Sequence, residues 1–318
     1  MGNTVQNMTA PVELKIMTYN IRNSGMKEKK KEYEWGYRRE GLIEVIKKHN
    51  PDILGMQEVL DDQMKFLIQR LGADYTPVGV PREYDPRTKK YSSEYSCIFF
   101  NNKRFEMLNN GTFWLSDTPD TPSNVPAWGA ACVRICTWVL MKERTSGKIV
   151  AHFNTHWDHV SSQARLNSST LMRTRMLDAL KKLKQEGVAD PLLSVSGDFN
   201  TEPNNPELLS MLKPLVDEET GIKLQLDYTK LSAKVRKGPN GTYTDFDLSE
   251  NSLIDYIFVQ DGYSTEKSWN VDSYEVDDQL LPGTNFVPSD HRPIVVSITN
   301  GHLTCTEQED YVVVNNKI

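Results

Sequence analysis

Apolar residues in this chain come in short runs that end on polar groups. The segments "LKIMTYNI" (14–21), "DILGMQEV" (52–59) and "YSCIFFN" (95–101) read as buried strands. So do "ACVRICTWVLM" and "IVAHFNTHW", joined by the turn "RTSGK", and later "PLLSVSGDFN" and "LIDYIFVQ". "SDHRPIVVSI" reads as a loop followed by a last strand.

Helical spacing appears in between. "YRREGLIEVIKKHN" carries Leu42, Val45 and Ile46 on one face and stops at Asn50-Pro51. A second helix is expected over 61–71, a long one over 162–186 and a short one in "PELLSMLK". Met172, Met176, Leu180 and Leu183 form one stripe of the long helix and are expected in the core. The segment 118–129, with three prolines and a glycine, is a loop long enough to suggest a function. "KEKKKEYEW" (27–35) reads as an exposed, solvated loop, and so does "PREYDPRTKKY" (81–91), which could otherwise supply the basic or aromatic track that a nuclease needs beside its site. Strands outnumber helices and often follow short turns. The fold expected is α/β of the α+β kind, two packed and mostly antiparallel sheets with helices outside.

The strands share a habit of ending in groups that bind metals or phosphates. Asn20 ends the first, Glu58 the second and His156 a third. Asp198 and Asn200 close "SGDFN", two residues apart, which on an extended segment places them on one side. Asp255 stands inside an apolar strand, where a carboxylate is costly without a partner. His291, next to Asp290 before the final strand, is the natural partner, since a carboxylate fixes the ring tautomer and raises its basicity. Acids and amides without thiolates suit a hard cation, Mg²⁺ or Mn²⁺. With two histidines they read as a site for hydrolysing a phosphate ester.

Bulk properties narrow this only in part. The 318 residues are 38% hydrophobic and 25% charged, with a formal charge of −6. That charge disfavours a broad, nonspecific nucleic-acid clamp, though not a local basic groove. Cys97, Cys132, Cys136 and Cys305 lack the spacing of a zinc site and read as core thiols. No apolar run is long enough to cross a bilayer, and no secretory signal precedes the first strand. Position 6 is Gln where N-myristoylation wants Ser or Thr. A cytoplasmic monomer is the expectation, with a mature secreted form left open.

The motifs "TYNIR", "PDILGMQEV", "NTHWDH", "SGDFNTEP", "LIDYIFV" and "SDHRPIVV" occur in the order used by the endonuclease/exonuclease/phosphatase superfamily. The chain resembles that superfamily over residues 13–299, with 1–12 as an N-terminal extension and 300–318 as a C-terminal tail. The resemblance implies a four-layer αββα sandwich with the site at one end of the sheets. It implies Glu58 as the main Mg²⁺ ligand with Asn20 beside it, and Asp290 as a further metal-site carboxylate. Asp198 would align or deprotonate water, and Asn200 would hold the phosphate or that water. His291, oriented by Asp255, and His156 would contact the phosphate. A narrower likeness, to microbial metal-dependent hydrolases, implies Trp128, Arg134, His159 and Arg165 on the substrate side. That branch more often has an aliphatic residue where Trp157 stands, which bears on the shape of the pocket. Trp114, Trp128 and Trp138 suit packing as well as stacking on substrate. The substrate would be a phosphate ester, small molecule or nucleic acid, with a non-catalytic binding module as the competing class.

Overall fold

The computed structural model describes residues 12–300 except 190, 250, 262 and 264–268. The N-terminal extension short of residue 12, the tail beyond residue 300 and Cys305 lie outside the described residues. The first half comprises β1 (Val12–Asn20), α1 (Trp35–His49), β2 (Ile53–Val59), α2 (Asp61–Leu71), β3 (Tyr75–Val78) and β4 (Pro81–Asp85). It continues with β5 (Lys90–Asn101), β6 (Phe105–Trp114), β7 (Ile135–Glu143) and β8 (Ile149–His156). Then come α3 (Ser162–Gln185), β9 (Leu192–Asp198), α4 (Pro206–Leu212), β10 (Leu215–Val216), β11 (Lys223–Leu224) and β12 (Asp227–Tyr228). The remainder is α5 (Thr229–Ser232), β13 (Val235–Lys237), β14 (Asp255–Asp261), β15 (Trp269–Val276) and β16 (Ile294–Asn300).

Two large sheets result. One runs β13-β15-β16-β1-β2-β5-β3, with β4 also on β5; the other runs β12-β14-β9-β8-β7-β6. Most neighbours are antiparallel, but β1–β2, β8–β9 and β13–β15 are parallel. Alternation along the strands builds the layers. In β1, Leu14 and Ile16 join Ile53, Val150, Leu192 and Ile257 between the sheets. Met17 and Tyr19 point the other way, under Leu42, Val45 and Ile46 of α1 and Leu67 of α2. On the second sheet, Phe153, Leu193 and Val195 meet Met172, Met176 and Leu180 of α3 and Leu208 of α4. The order is helices, sheet, sheet, helices, and the Met stripe is core. Among the described residues no helix is long and apolar enough to cross a membrane.

The space between the sheets is not all apolar. Gln57 Nε2 donates to Asn154 Oδ1 at 2.7 Å and Thr18 Oγ1 at 3.1 Å. Asn154 Nδ2 donates to the carbonyls of Met56 and Cys97, at 2.9 and 2.8 Å. His152 lies between Ser194 Oγ and Ser196 Oγ, 2.8 and 3.1 Å from its ring nitrogens. Gly55 makes room for this layer: a Cβ there would stand 2.4 Å from Ser196 Oγ. The chain thus reaches the functional end of the sandwich through a hydrogen-bonded polar seam, in which Gln57 Oε1 is the buried atom left without a partner.

Several local expectations change. Residues 81–91 are not a solvated loop but β4 and the turn into β5, paired from Pro81 to Tyr95. β6 and β15 lack a clean alternation in sequence and are added by pairing to β7 and β16. Cys97 and Cys136 are core thiols as expected, whereas Cys132 is half-buried and lines the cavity described below.

Burial holds the His152 imidazole down at about 3, so the folded protein keeps it neutral. Unfolding frees it to take a proton below its ordinary range near 6.5. Stability is therefore lost as pH falls from 6.5 toward 3. Between pH 4 and 6 this group should add about 1.4 kcal/mol per pH unit to the slope of unfolding free energy. Urea unfolding of His152→Gln should show a slope smaller by that amount; an unchanged slope contradicts it.

Candidate active site

The parallel pairs gather the polar strand ends. Asn20 of β1 is level with Gln57 of β2, so Glu58 follows at the same edge. His156 of β8 is level with Asp198 of β9, and Asp255, which opens β14, pairs with Asp198. Gly197 allows β9 this close to β8, since a Cβ there would stand 2.2 Å from the Thr155 carbonyl oxygen. Leu192, Ser194, Ser196 and Asp198 share the inner face of β9, which aims Asp198 at the mouth of the gap between the sheets. Glu58 reaches that mouth differently. Ile53 and Gln57 face inward on β2, and a strict alternation would send Glu58 outward. A register break after Met56 and a left-handed backbone at Glu58 (φ 63°) re-aim it. Asn200 also departs from an extended segment. Its φ is 47°, and its N–H donates to Asp198 Oδ1 at 2.9 Å. An Asx turn, not strand period, places Asp198 and Asn200 on one cavity.

Asn20 Nδ2 donates to Glu58 Oε1 at 3.1 Å and to Asp198 Oδ2 at 3.0 Å, while its Oδ1 accepts from Arg22 N–H. Asn23 donates its backbone and side-chain N–H groups to Glu58 Oε2, both at 3.0 Å. Asp290 Oδ2 lies 3.3 Å from Arg22 Nη1. His291 Nδ1 is 2.8 Å from Asp255 Oδ2, and its Nε2 is 3.8 Å from Asp198 Oδ2. His156 Nε2 lies 3.5 Å from the same Asp198 oxygen. Asn200 Nδ2 donates to the Trp157 carbonyl at 2.9 Å.

Burial and charge set distinct protonation states. Burial raises Asp198, with Asp255 adding, up to about 7. Burial opposes a charged His291, but Asp255, Asp198 and Asp290 overcome it and push the ring up to about 10. Burial, joined by Arg134 and Arg82, holds His156 well below its ordinary range. Burial would raise Glu58, yet the Asn23 backbone N–H, His291, Asn20 and Arg22 keep it below the usual carboxylate range. Asp290 is raised by burial against His291, with Glu58 adding to the rise. The site thus holds an ionised Glu58, an imidazolium at His291 and a neutral imidazole at His156.

These groups surround a cavity of about 450 Å³ lined by Glu58, His156, Asp198, Asn200, Asp290 and His291. Arg134 and His159 line it too, with Arg134 Nη2 3.0 Å from His159 Nδ1. Asn20 and Asp255 stand behind, each reaching the cavity through a partner. Two expected substrate contacts are elsewhere. Arg165 is spent on the Asp158 carbonyl and Glu207, because α3 begins with its first turn braced on α4. Trp128 lies in the 118–129 loop and donates to Asp117. Trp157 does not shape the cavity: it is fully buried against Phe199 and Met172 under α3. Trp114 is buried with its N–H on the Arg82 carbonyl, and Trp138 lies on the α3 side of the second sheet. Sequence reasoning missed Asn23, Arg82, Glu94 and Tyr243 in the lining. Asn23 carried a signal, three residues after Asn20 at the "TYN" strand end, and Arg82 lay in the segment that could supply a basic track beside the site.

The sequence profile of the endonuclease/exonuclease/phosphatase family matches residues 17–291. The chain belongs to that family. Members of that family are phosphoester hydrolases such as nucleases and phosphatases. Among solved structures, it is similar to the mannosyl-6-phosphatase of Bacteroides thetaiotaomicron, at 28% identity and a TM-score of 0.76 over 90% of this chain and 99% of that one. A family protein from Bacteroides vulgatus gives 29% identity and a TM-score of 0.75 over 91% of this chain and 100% of that one. It is also 25% identical to the probable RNA exonuclease NGL3 of Saccharomyces cerevisiae over 263 residues, 78% of this chain. The chain spans about half, 49%, of that yeast relative.

The Asp255–His291 pair has a direct readout. In metal-free protein followed by NMR, Asp255→Asn should lower the midpoint of His291 titration by about 1–3 pH units, since the opposite charge is gone. An unmoved midpoint would show that Asp255 does not set the ring's charge.

Proposed function

We propose that this chain is a divalent-metal-dependent hydrolase of phosphate esters, using Mg²⁺ or Mn²⁺. The observation that carries the reading is the meeting, on one cavity, of Glu58 and Asp290 with Asp198 and the Asp255–His291 pair. The donor set fits a hard cation. Glu58 and Asp290 raise each other's cost of ionisation through their like charge, and the neighbouring positive charges are His291 and Arg22. A divalent ion held by these two carboxylates would relieve that repulsion and would supply Lewis-acid stabilisation of phosphoryl and leaving-group oxygens. Asn20, whose N–H bonds hold both Glu58 and Asp198, serves as the positioning group rather than as a ligand.

The protein groups then divide the work. Asp198, raised toward neutrality of solution, holds the attacking water and takes its proton. The water oxygen bonds to phosphorus as the ester P–O bond breaks, and the departing oxygen is protonated by solvent water in the open cavity. His291, kept charged by Asp255, donates to a phosphoryl oxygen as negative charge builds there. His156, neutral, and Asn200 offer further hydrogen bonds to the phosphoryl group. Every residue named comes from one chain, so a monomer suffices.

The substrate is a small phosphate ester on this reading, in keeping with the relative named as a mannosyl-6-phosphatase. A nuclease is the second reading, favoured by the yeast relative named as a probable RNA exonuclease. The test uses p-nitrophenyl phosphate and bis-p-nitrophenyl phosphate with Mg²⁺. Turnover of at least one should vanish with chelator and return with metal, and Asp198→Asn should lower kcat by about 10²–10⁴-fold. Chelator-insensitive turnover, or an Asp198→Asn enzyme near wild-type rate, refutes the mechanism.

A further inference from the structure

Part of the cavity lining touches none of the groups assigned above to the phosphoryl group or the water. Arg82, carried in by β4, places Nη1 2.6 Å from Glu94 Oε2 of β5. The other Glu94 oxygen accepts from Asn23 Nδ2 at 3.3 Å. Both side chains are largely buried, at 11% and 14% exposure, and both line the same cavity as Asp198 and His291. Arg82 Nε is buried and has no partner. A buried ion pair is a costly way to fill space, since well-packed apolar groups do it as well or better. Here it stands where substrate must sit.

The chemistry of the pair selects among leaving groups. A guanidinium offers only donors and a carboxylate only acceptors. A hydroxyl both gives and receives, so two hydroxyls on adjacent carbons can each donate to Glu94 and accept from Arg82. A second ionised phosphate offers only acceptors, so it could answer Arg82 but would have no proton to give Glu94. A nucleobase would want an aromatic face. Tyr243 is the aromatic ring among the described lining residues, and it meets His291 at 5.0 Å with a 62° tilt, edge-to-face. Tyr84, Tyr91 and Trp114 cluster on the β4–β5 side outside that lining. His159 extends the polar pattern. Its Nδ1 accepts from Arg134, which leaves the proton on Nε2 as one more donor on the cavity.

We propose that Arg82 and Glu94 clamp vicinal hydroxyls of the leaving group, so that the enzyme acts on phosphomonoesters of small polyols such as hexose phosphates. This rests on the hydrolase reading above and adds its substrate class. The experiment compares kcat/KM for mannose 6-phosphate and p-nitrophenyl phosphate, with Mg²⁺, in the full chain, Glu94→Gln and Arg82→Gln. A single-stranded RNA oligonucleotide is the third substrate. Each variant should lower the mannose 6-phosphate to p-nitrophenyl phosphate ratio by about tenfold or more, because a site built to bond hydroxyls loses most with the substrate that has them. The ratio cancels any loss of folded enzyme and any disturbance passed through Asn23 to Glu58. Turnover of p-nitrophenyl phosphate with a ratio unchanged in both variants overturns the clamp alone. Greater kcat/KM on RNA than on mannose 6-phosphate overturns it too. Turnover of none of the three would remove the hydrolase reading and the clamp with it.

Discussion

One amide joins what the two sheets bring to the site. Asn20 closes β1 in the first sheet, and its Nδ2 donates both to Glu58, from the neighbouring strand, and to Asp198, from the other sheet. Two buried carboxylates would otherwise repel across the gap. The shared donor fixes their separation, and the backbone N–H of Arg22 fixes the amide in turn. Arg38 extends the brace, donating from full burial to the Pro288 carbonyl at 3.1 Å and so tying the "SDH" loop to α1. The geometry of the cavity therefore depends on strand register several residues away, in the polar seam from Thr18 to His152.

The electrostatics follow from that enclosure. A concentrated set of buried acids cannot all ionise alone, so each takes its state from its neighbours. Asp255 has His291, Glu58 has two N–H donors from Asn23, and Asp290 has Arg22. Asp198, buried and facing the like charge of Asp255, is brought up to about 7. That separation of roles among chemically similar groups is what general-base chemistry near neutral pH requires.

Much of this was legible in the chain. The layer order and the strands carrying Asn20, Glu58, His156, Asp198 and Asp255 follow from short apolar runs that end on polar groups and from the short turns between them. The pairing of Asp255 with His291 follows from the cost of burying a lone carboxylate. What was hidden lay in irregular backbone. Glu58 and Asn200 reach the cavity through left-handed residues that no periodicity signals. Arg82 and Glu94 meet across a hairpin whose sequence looks like a solvated loop. Trp128 and Arg165 were misplaced for the converse reason: loop and helix-end residues can turn to local partners, here Asp117 and Glu207.

The central claim is that Glu58 and Asp290 share a divalent cation beside Asp198. A crystal soaked in Mn²⁺ and measured for anomalous scattering tests it most directly. The account predicts a peak at about 2.1 Å from a Glu58 carboxylate oxygen, in the cavity that also holds Asp290. Density confined to the other acid–histidine cluster, His49, Glu275 and Asp277, with none at Glu58, would contradict it.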